Sequence, residues 1–129
     1  MIHSTPEYIQ PTAELLEKLE KFREEHAGES IGGVADRVLF EDDNVKIWEM
    51  KLEPGQHSDL HHHAVDYYLI IFSGDYVAGI PPKESGADIF VAKVPEEGNT
   101  VHIPKGGTEW AYNCGEKLYH EYLVELKNT

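Results

Sequence analysis

The chain has 129 residues, of which 40% are hydrophobic, and this is enough for one packed domain but not for two. Its formal net charge of −13 repels phosphate backbones and anionic lipid surfaces, which argues against nucleic-acid and membrane partners. Cys114 is the single cysteine, so the chain can form no internal disulfide, and we expect a cytoplasmic protein.

The first 33 residues predict an N-terminal arm followed by one amphipathic helix. Residues 1–10 contain a proline and show no periodicity, so we expect an irregular arm. Thr12 can cap a helix over residues 13–26, and Gly28 ends it. Apolar side chains recur at helical spacing on one face, at Leu15, Leu16, Leu19 and Phe22. A face of this kind packs against a core or against a second subunit.

From residue 34 to residue 129 the pattern changes to short strands separated by turns, which predicts one β-barrel domain. No helical pattern lies between the strands, and this favours an antiparallel barrel or jelly roll. The predicted strands cover residues 37–40, 45–52, 67–72, 76–80, 89–94, 101–103, 109–112 and 118–126. The apolar run over residues 67–72 is the longest in the chain, and it is too short to span a bilayer.

The last predicted strand alternates, so we expect one of its faces in the core and the other mostly in solvent. The core face would carry Leu118, His120, Tyr122, Val124 and Leu126. The solvent face would carry Tyr119, Glu121, Leu123, Glu125 and Lys127. In this interpretation His120 is a core histidine with a hydrogen-bond partner.

Four histidines lie within seven residues, at His57, His61, His62 and His63. Alternate residues of a strand share a face, so His61 and His63 can both point into the barrel while His62 points out. Two imidazoles that converge from one strand make half of a metal site, and imidazole binds several transition metals. A solvated strand edge is the other explanation, but an inward imidazole without a partner is costly.

Two motifs in the barrel region resemble the two motifs of the cupin superfamily. The first is matched at Gly55, His61, His63 and Gly74, and the second at Gly98, Pro104, Gly106 and Asn113. The resemblance covers residues 36–127 and implies a jelly-roll β-barrel with a metal ion held in its mouth. Similar small cupins commonly form dimers, so the resemblance also implies a homodimer, and the arm and helix would suit its interface.

Two positions depart from the cupin pattern. Tyr67 stands where the first motif has Glu, and Glu109 stands where the second motif has His. The ligands that remain are His61, His63 and Glu109, which are the ligand types of the two-histidine, one-carboxylate triad that binds Fe(II). Glu109 could instead be a catalytic carboxylate away from the metal, or a solvated one. Tyr67 is either a ligand, donor or acid near the metal or an aromatic of the barrel floor, and His57 is a candidate further ligand.

These residues predict a metal-dependent enzyme that acts on a small organic substrate, with Tyr67 and Glu109 as its candidate catalytic groups. The cofactor would be a divalent transition metal, which could be Fe, Ni, Zn or Mn. An open metal centre supports either dioxygenase chemistry or lyase and isomerase chemistry. The alternative is a non-catalytic cupin that binds a metal or a small ligand, because two of the family's four ligand positions are altered.

Overall fold

The computed structural model describes residues 5–129. Within them, ten strands, one α-helix and one short 3-10 helix follow one another along the chain. They are β1 (Glu7–Ile9), α1 (Ala13–Glu25), β2 (Arg37–Glu41), β3 (Val45–Leu52), β4 (His61–His62), β5 (Tyr67–Ser73), β6 (Tyr76–Ile80), the 3-10 helix (Lys83–Ser85), β7 (Phe90–Lys93), β8 (Thr100–Ile103), β9 (Thr108–Asn113) and β10 (Tyr119–Leu126). None of the described helices has the length and apolar character needed to cross a membrane.

The strands form two five-stranded sheets with the orders β1-β7-β6-β9-β4 and β2-β3-β10-β5-β8. Every strand pair within them is antiparallel. Side chains from both sheets meet between the layers, where Met50, Ile71 and Tyr119 pack with Val77 and Ala111. The predicted all-β jelly roll with an N-terminal helix is therefore confirmed.

Helix α1 packs against the outer face of the first sheet. The Thr12 side chain accepts a hydrogen bond of 3.1 Å from the backbone N–H of Leu15, as expected for an N-cap. Leu19 and Phe22 are buried in one cluster with the outward side chains of β6 and β9, including Trp110 and Tyr112. The apolar stripe of the helix thus covers the chain's own barrel.

The prediction for the last strand was wrong about which face is inside. Tyr119, Glu121 and Leu123 are buried, at 2%, 4% and 2% exposure, whereas His120 and Tyr122 are only half-buried. Both faces of β10 carry apolar side chains. Because Glu121 is charged, the sequence pattern favoured the opposite face of the strand as the core face. The same inner face explains Gly74, which has φ of +132° and whose added Cβ would lie 2.7 Å from the Tyr119 ring.

The N-terminal segment also differs from its prediction. Residues 7–9 form β1, an edge strand that pairs with β7, where the sequence predicted an irregular arm. A strand of three residues is too short to show a period of two in the sequence. The beginning of the predicted arm, residues 1–4, lies outside the described residues.

Candidate metal centre

The pairing of β4 with β9 brings two of the predicted ligands together. His61 and Glu109 are directly opposite each other in the register of these strands, so their side chains share a face. His63 follows two residues later, and its backbone continues the pairing through hydrogen bonds with Gly107 (2.9 Å) and Gly106 (2.8 Å). Ligand atoms of His61, His63 and Glu109 all lie within 4.8 Å of one another.

The orientation and tautomer of His61 are set by the backbone. Its Nδ1 lies 2.9 Å from the carbonyl oxygen of Asp59, and because a carbonyl only accepts, Nδ1 carries the proton. The unprotonated Nε2 is then left to bind a cation, which is the arrangement typical of metal-bound histidines. The residue is 2% exposed, and burial lowers its pKa, which favours the neutral imidazole.

His63 is buried without a hydrogen bond from its side chain to any described residue. Its Nδ1 has no partner, and its Nε2 lies 3.7 Å from Glu109 Oε1, beyond hydrogen-bond distance. A buried imidazole of this kind usually indicates an ion or water that completes the site. The donor set of two imidazoles and one carboxylate, with one unpartnered ring, therefore fits a transition metal.

Tyr67 packs directly against this cluster. Its ring stacks on the His63 imidazole with centroids 4.0 Å apart and an angle of 16° between the planes. It is 4% exposed, and burial raises the pKa of its phenol, so the hydroxyl keeps its proton. Tyr67 thus holds the His63 ring in place from the position where the first cupin motif has Glu.

A cavity of about 250 Å³ opens between the two sheets in front of the three residues. Its walls are mainly aliphatic and aromatic, and its polar lining includes His61, His63, Tyr67, Glu109, Tyr119 and Glu121. Glu121 was missed as a site residue because it was assigned to solvent. The signal that could have found it is its place between Tyr119 and Leu123, two large apolar side chains on the same face of the strand.

His57 lies apart from the cluster. Its ring contacts the aromatic residues under helix α1, with centroids 4.7 Å from Phe22 and 4.9 Å from His26. Its Nδ1 lies 2.8 Å from the carbonyl oxygen of Ser58. The structure therefore groups His61, His63 and Glu109 without it.

The remaining sequence predictions concern residues away from the cavity. His62 and His102 point outward, as predicted. His120 lies on the outer side of β10, where its Nε2 is 2.9 Å from Glu49 Oε2, and not in the core. Asn113 of the second motif is buried and donates from its amide nitrogen to the carbonyls of Leu52 and Lys117, so its role is structural.

Solved structures that resemble the chain share its two-sheet architecture. A cupin domain from Bordetella pertussis Tohama I has a TM-score of 0.62 and 19% identity, over 78% of this chain and 99% of that chain. A protein with a double-stranded β-helix domain from Klebsiella pneumoniae has a TM-score of 0.56 and 18% identity, over 81% and 86%. In comparisons by sequence, no family model and no curated protein matches the chain. The chain has a double-stranded β-helix fold, as these solved structures do.

Proposed function

We propose that this protein is a metal-dependent enzyme that acts on a small organic substrate, with His61, His63 and Glu109 as the ligands of a divalent transition metal. The observation that carries the proposal is the convergence of these three groups within 4.8 Å at the wall of the cavity. Fe, Ni, Zn and Mn all accept imidazole and carboxylate ligands, so the donor set leaves the choice among them open.

Three protein ligands leave coordination positions for a substrate, because these metals bind four to six donors. A metal bound there would supply Lewis-acid or oxygen chemistry, which corresponds to a lyase or isomerase in one case and a dioxygenase in the other. The apolar cavity walls would exclude water and hold the carbon skeleton of the substrate. Tyr67 lines the cavity beside His63, and in this proposal its hydroxyl would offer a proton to a substrate oxygen.

Metal uptake tests the proposal directly. Protein stripped with a chelator and then dialysed should bind one ion per chain in calorimetric titrations with Fe(II), Ni(II), Zn(II) or Mn(II). His61→Ala, His63→Ala and Glu109→Gln should each weaken binding by more than about 100-fold, beyond the cost of losing an outer-shell partner. His62→Ala is the matched control, because it removes an adjacent imidazole that is exposed.

Two results would count against the metal site. Wild-type protein that takes up none of the four metals overturns it. So does a His62→Ala variant that loses as much affinity as His61→Ala, because uptake would then reflect histidine content and not geometry.

The non-catalytic alternative predicts a different result for activity. If the site only binds a ligand, no substrate turned over by the wild-type protein should be found, although the metal is bound. Where a substrate is found, Tyr67→Phe tests the catalytic role of Tyr67, and Glu109→Gln is assayed at a metal concentration that saturates the variant, so that lost turnover does not reflect lost metal. Turnover that survives both substitutions would show that neither side chain is catalytic.

A further inference from the structure

Glu121 places a second carboxyl in the cavity, on a different strand from the proposed metal ligands. Its partners across the sheet are Met50 on β3 and Ile71 on β5, and both of these side chains are buried. Glu121 itself is 4% exposed and lines the same cavity as His61, His63 and Glu109. A carboxyl in apolar surroundings next to a ligand cavity is a functional candidate.

The hydrogen bonding of Glu121 is one-sided. Tyr119 donates its hydroxyl proton to Oε2 over 2.6 Å, while Oε1 has no hydrogen-bond partner among the described residues. No ion pair found within residues 5–129 includes Glu121, so no basic side chain of these residues neutralises it. When the carboxyl is protonated, the proton therefore belongs on Oε1, because Oε2 is already an acceptor.

The protonation state follows from the surroundings of Glu121. Burial raises the pKa of its carboxyl, the hydrogen bond from Tyr119 lowers it, and the negative charges of Glu109 and Asp36 raise it, so that the resulting pKa is about 7. Tyr67, whose own pKa is raised in part by the charge of Glu121, also interacts with it, and His61 and His63 line the same cavity. A neutral carboxylic acid is a hydrogen-bond donor, unlike an ionised one.

We propose that Glu121 is the ligand-binding donor of the cavity, and that its Oε1 donates a hydrogen bond to an oxygen atom of a small uncharged ligand with an apolar body. A carbonyl or hydroxyl oxygen would be the acceptor. An anionic ligand would favour the protonated form of Glu121 but would meet no free lysine or arginine among the described residues of the lining, because Lys93 is 2.5 Å from Glu96, which neutralises it, and the apolar walls favour an uncharged ligand.

This inference rests on the proposed function only in taking the ligand of Glu121 to be the substrate of the metal site. The two can fail separately, because the tests below use metal-free protein. Loss of metal uptake with retention of these results would overturn the metal site alone.

The first test measures the proton. Carboxyl-labelled ¹³C-glutamate protein, titrated by NMR, should show one buried signal with a midpoint near pH 7, absent from Glu121→Gln. Tyr119→Phe should move that midpoint upward and Glu109→Gln should move it downward, because the first removes a donor to the charged form and the second removes a like charge. A signal for Glu121 that titrates near 4.5 overturns the proposal.

The second test measures the affinity of the cavity for a ligand. Acetophenone is the probe, and ethylbenzene is its analogue without oxygen. Wild-type protein should bind acetophenone about tenfold more tightly at about pH 5.5 than at about pH 8.5, because one hydrogen bond is lost on ionisation. Glu121→Gln, whose amide still donates, should remove this pH dependence. Glu121→Leu should weaken the binding of acetophenone about tenfold at the lower pH and leave the binding of ethylbenzene unchanged.

Three outcomes of the second test would contradict the proposal. The wild-type protein could bind acetophenone equally at the two pH values. Glu121→Leu could weaken ethylbenzene as much as acetophenone, which would indicate a change of shape. If acetophenone bound at neither pH, the proposed class of ligand would be wrong.

Discussion

Single residues decide how charge is distributed in this cavity. A carboxylate stands at Glu109, opposite His61, and Tyr67 lies beside His63. The cluster therefore has the donor types of a facial triad, two imidazoles and one carboxylate. The ring at residue 67 stacks on His63, which a shorter carboxylate could not do.

Glu121 makes the stability of the fold depend on pH. Its pKa is raised from 4.5 to about 7, so between these values the folded state binds a proton that the unfolded chain has released. The protonated carboxyl therefore contributes about 3 kcal/mol to the free energy of unfolding. This contribution is fully present below about pH 4.5 and is lost as the pH rises through 7.

We expect the free energy of unfolding of the wild-type protein to fall by this amount, relative to Glu121→Gln, between about pH 4.5 and about pH 8. Urea denaturation of both proteins across that range measures the difference. The Gln variant is the control for every other titrating group, because it changes only one. Curves that stay parallel would show that Glu121 is ionised throughout.

At the scale of elements, helix α1 and the barrel share one core. Phe22 is 9% exposed and its ring meets those of His57, Trp110 and Tyr112 at 4.7–5.7 Å. Phe22→Ala should therefore cost about 3 kcal/mol of stability, within the usual range for buried phenylalanine. Glu17→Ala, on the exposed side of the same helix, should change it by less than about 0.5 kcal/mol.

Thermal unfolding followed by circular dichroism and by tryptophan fluorescence checks this prediction. The two signals should give one transition in both variants, because Trp110 contacts the helix. A Phe22→Ala protein that loses helix while its barrel keeps the wild-type midpoint would show that the two parts are independent.

Strand positions could be predicted well from the sequence, because turn residues punctuate it. The bounds of β3 and β6 agree with those predicted, and most other strands differ by one or two residues at an end. The orientation of β10 could not be predicted, since apolar residues occupy both of its faces. The candidate site could be predicted in part for the same reason. The spacing of His61 and His63 identifies them as a pair, whereas the role of Glu121 depends on which face of β10 meets the cavity.

At the scale of the whole molecule, several aromatic side chains are exposed on the outer face of the second sheet. Phe72 is 51% exposed and its ring contacts those of His120 and Tyr122, Tyr68 is 39% exposed beside His102, and Phe40 on β2 is 52% exposed. Exposed apolar patches of this kind mark interfaces. We propose that two copies associate through this face, because it carries three of the four exposed phenylalanine and tyrosine side chains of residues 5–129, whereas the apolar side of helix α1 is used up on the chain's own barrel.

Sedimentation equilibrium tests the dimer. The wild-type protein should have the mass of two chains at micromolar concentration, and Phe72→Glu should have the mass of one. Association should tighten with salt, because each copy carries a net charge of −13 and like charges are screened. Glu17→Ala is a control on a different surface. A wild-type mass of one chain would rule out this interface.

The short strand β1 closes one side of the cavity. Tyr8 of β1 leans edge-on against Phe90, 5.6 Å between centroids, and both residues line the cavity wall. Three paired residues at a sheet edge open at far lower free energy than the central strands. The rate at which molecules enter and leave the cavity would then depend on the opening of β1, which lies at the opposite edge of its sheet from β4 and can open without breaking the pairing of His61 with Glu109.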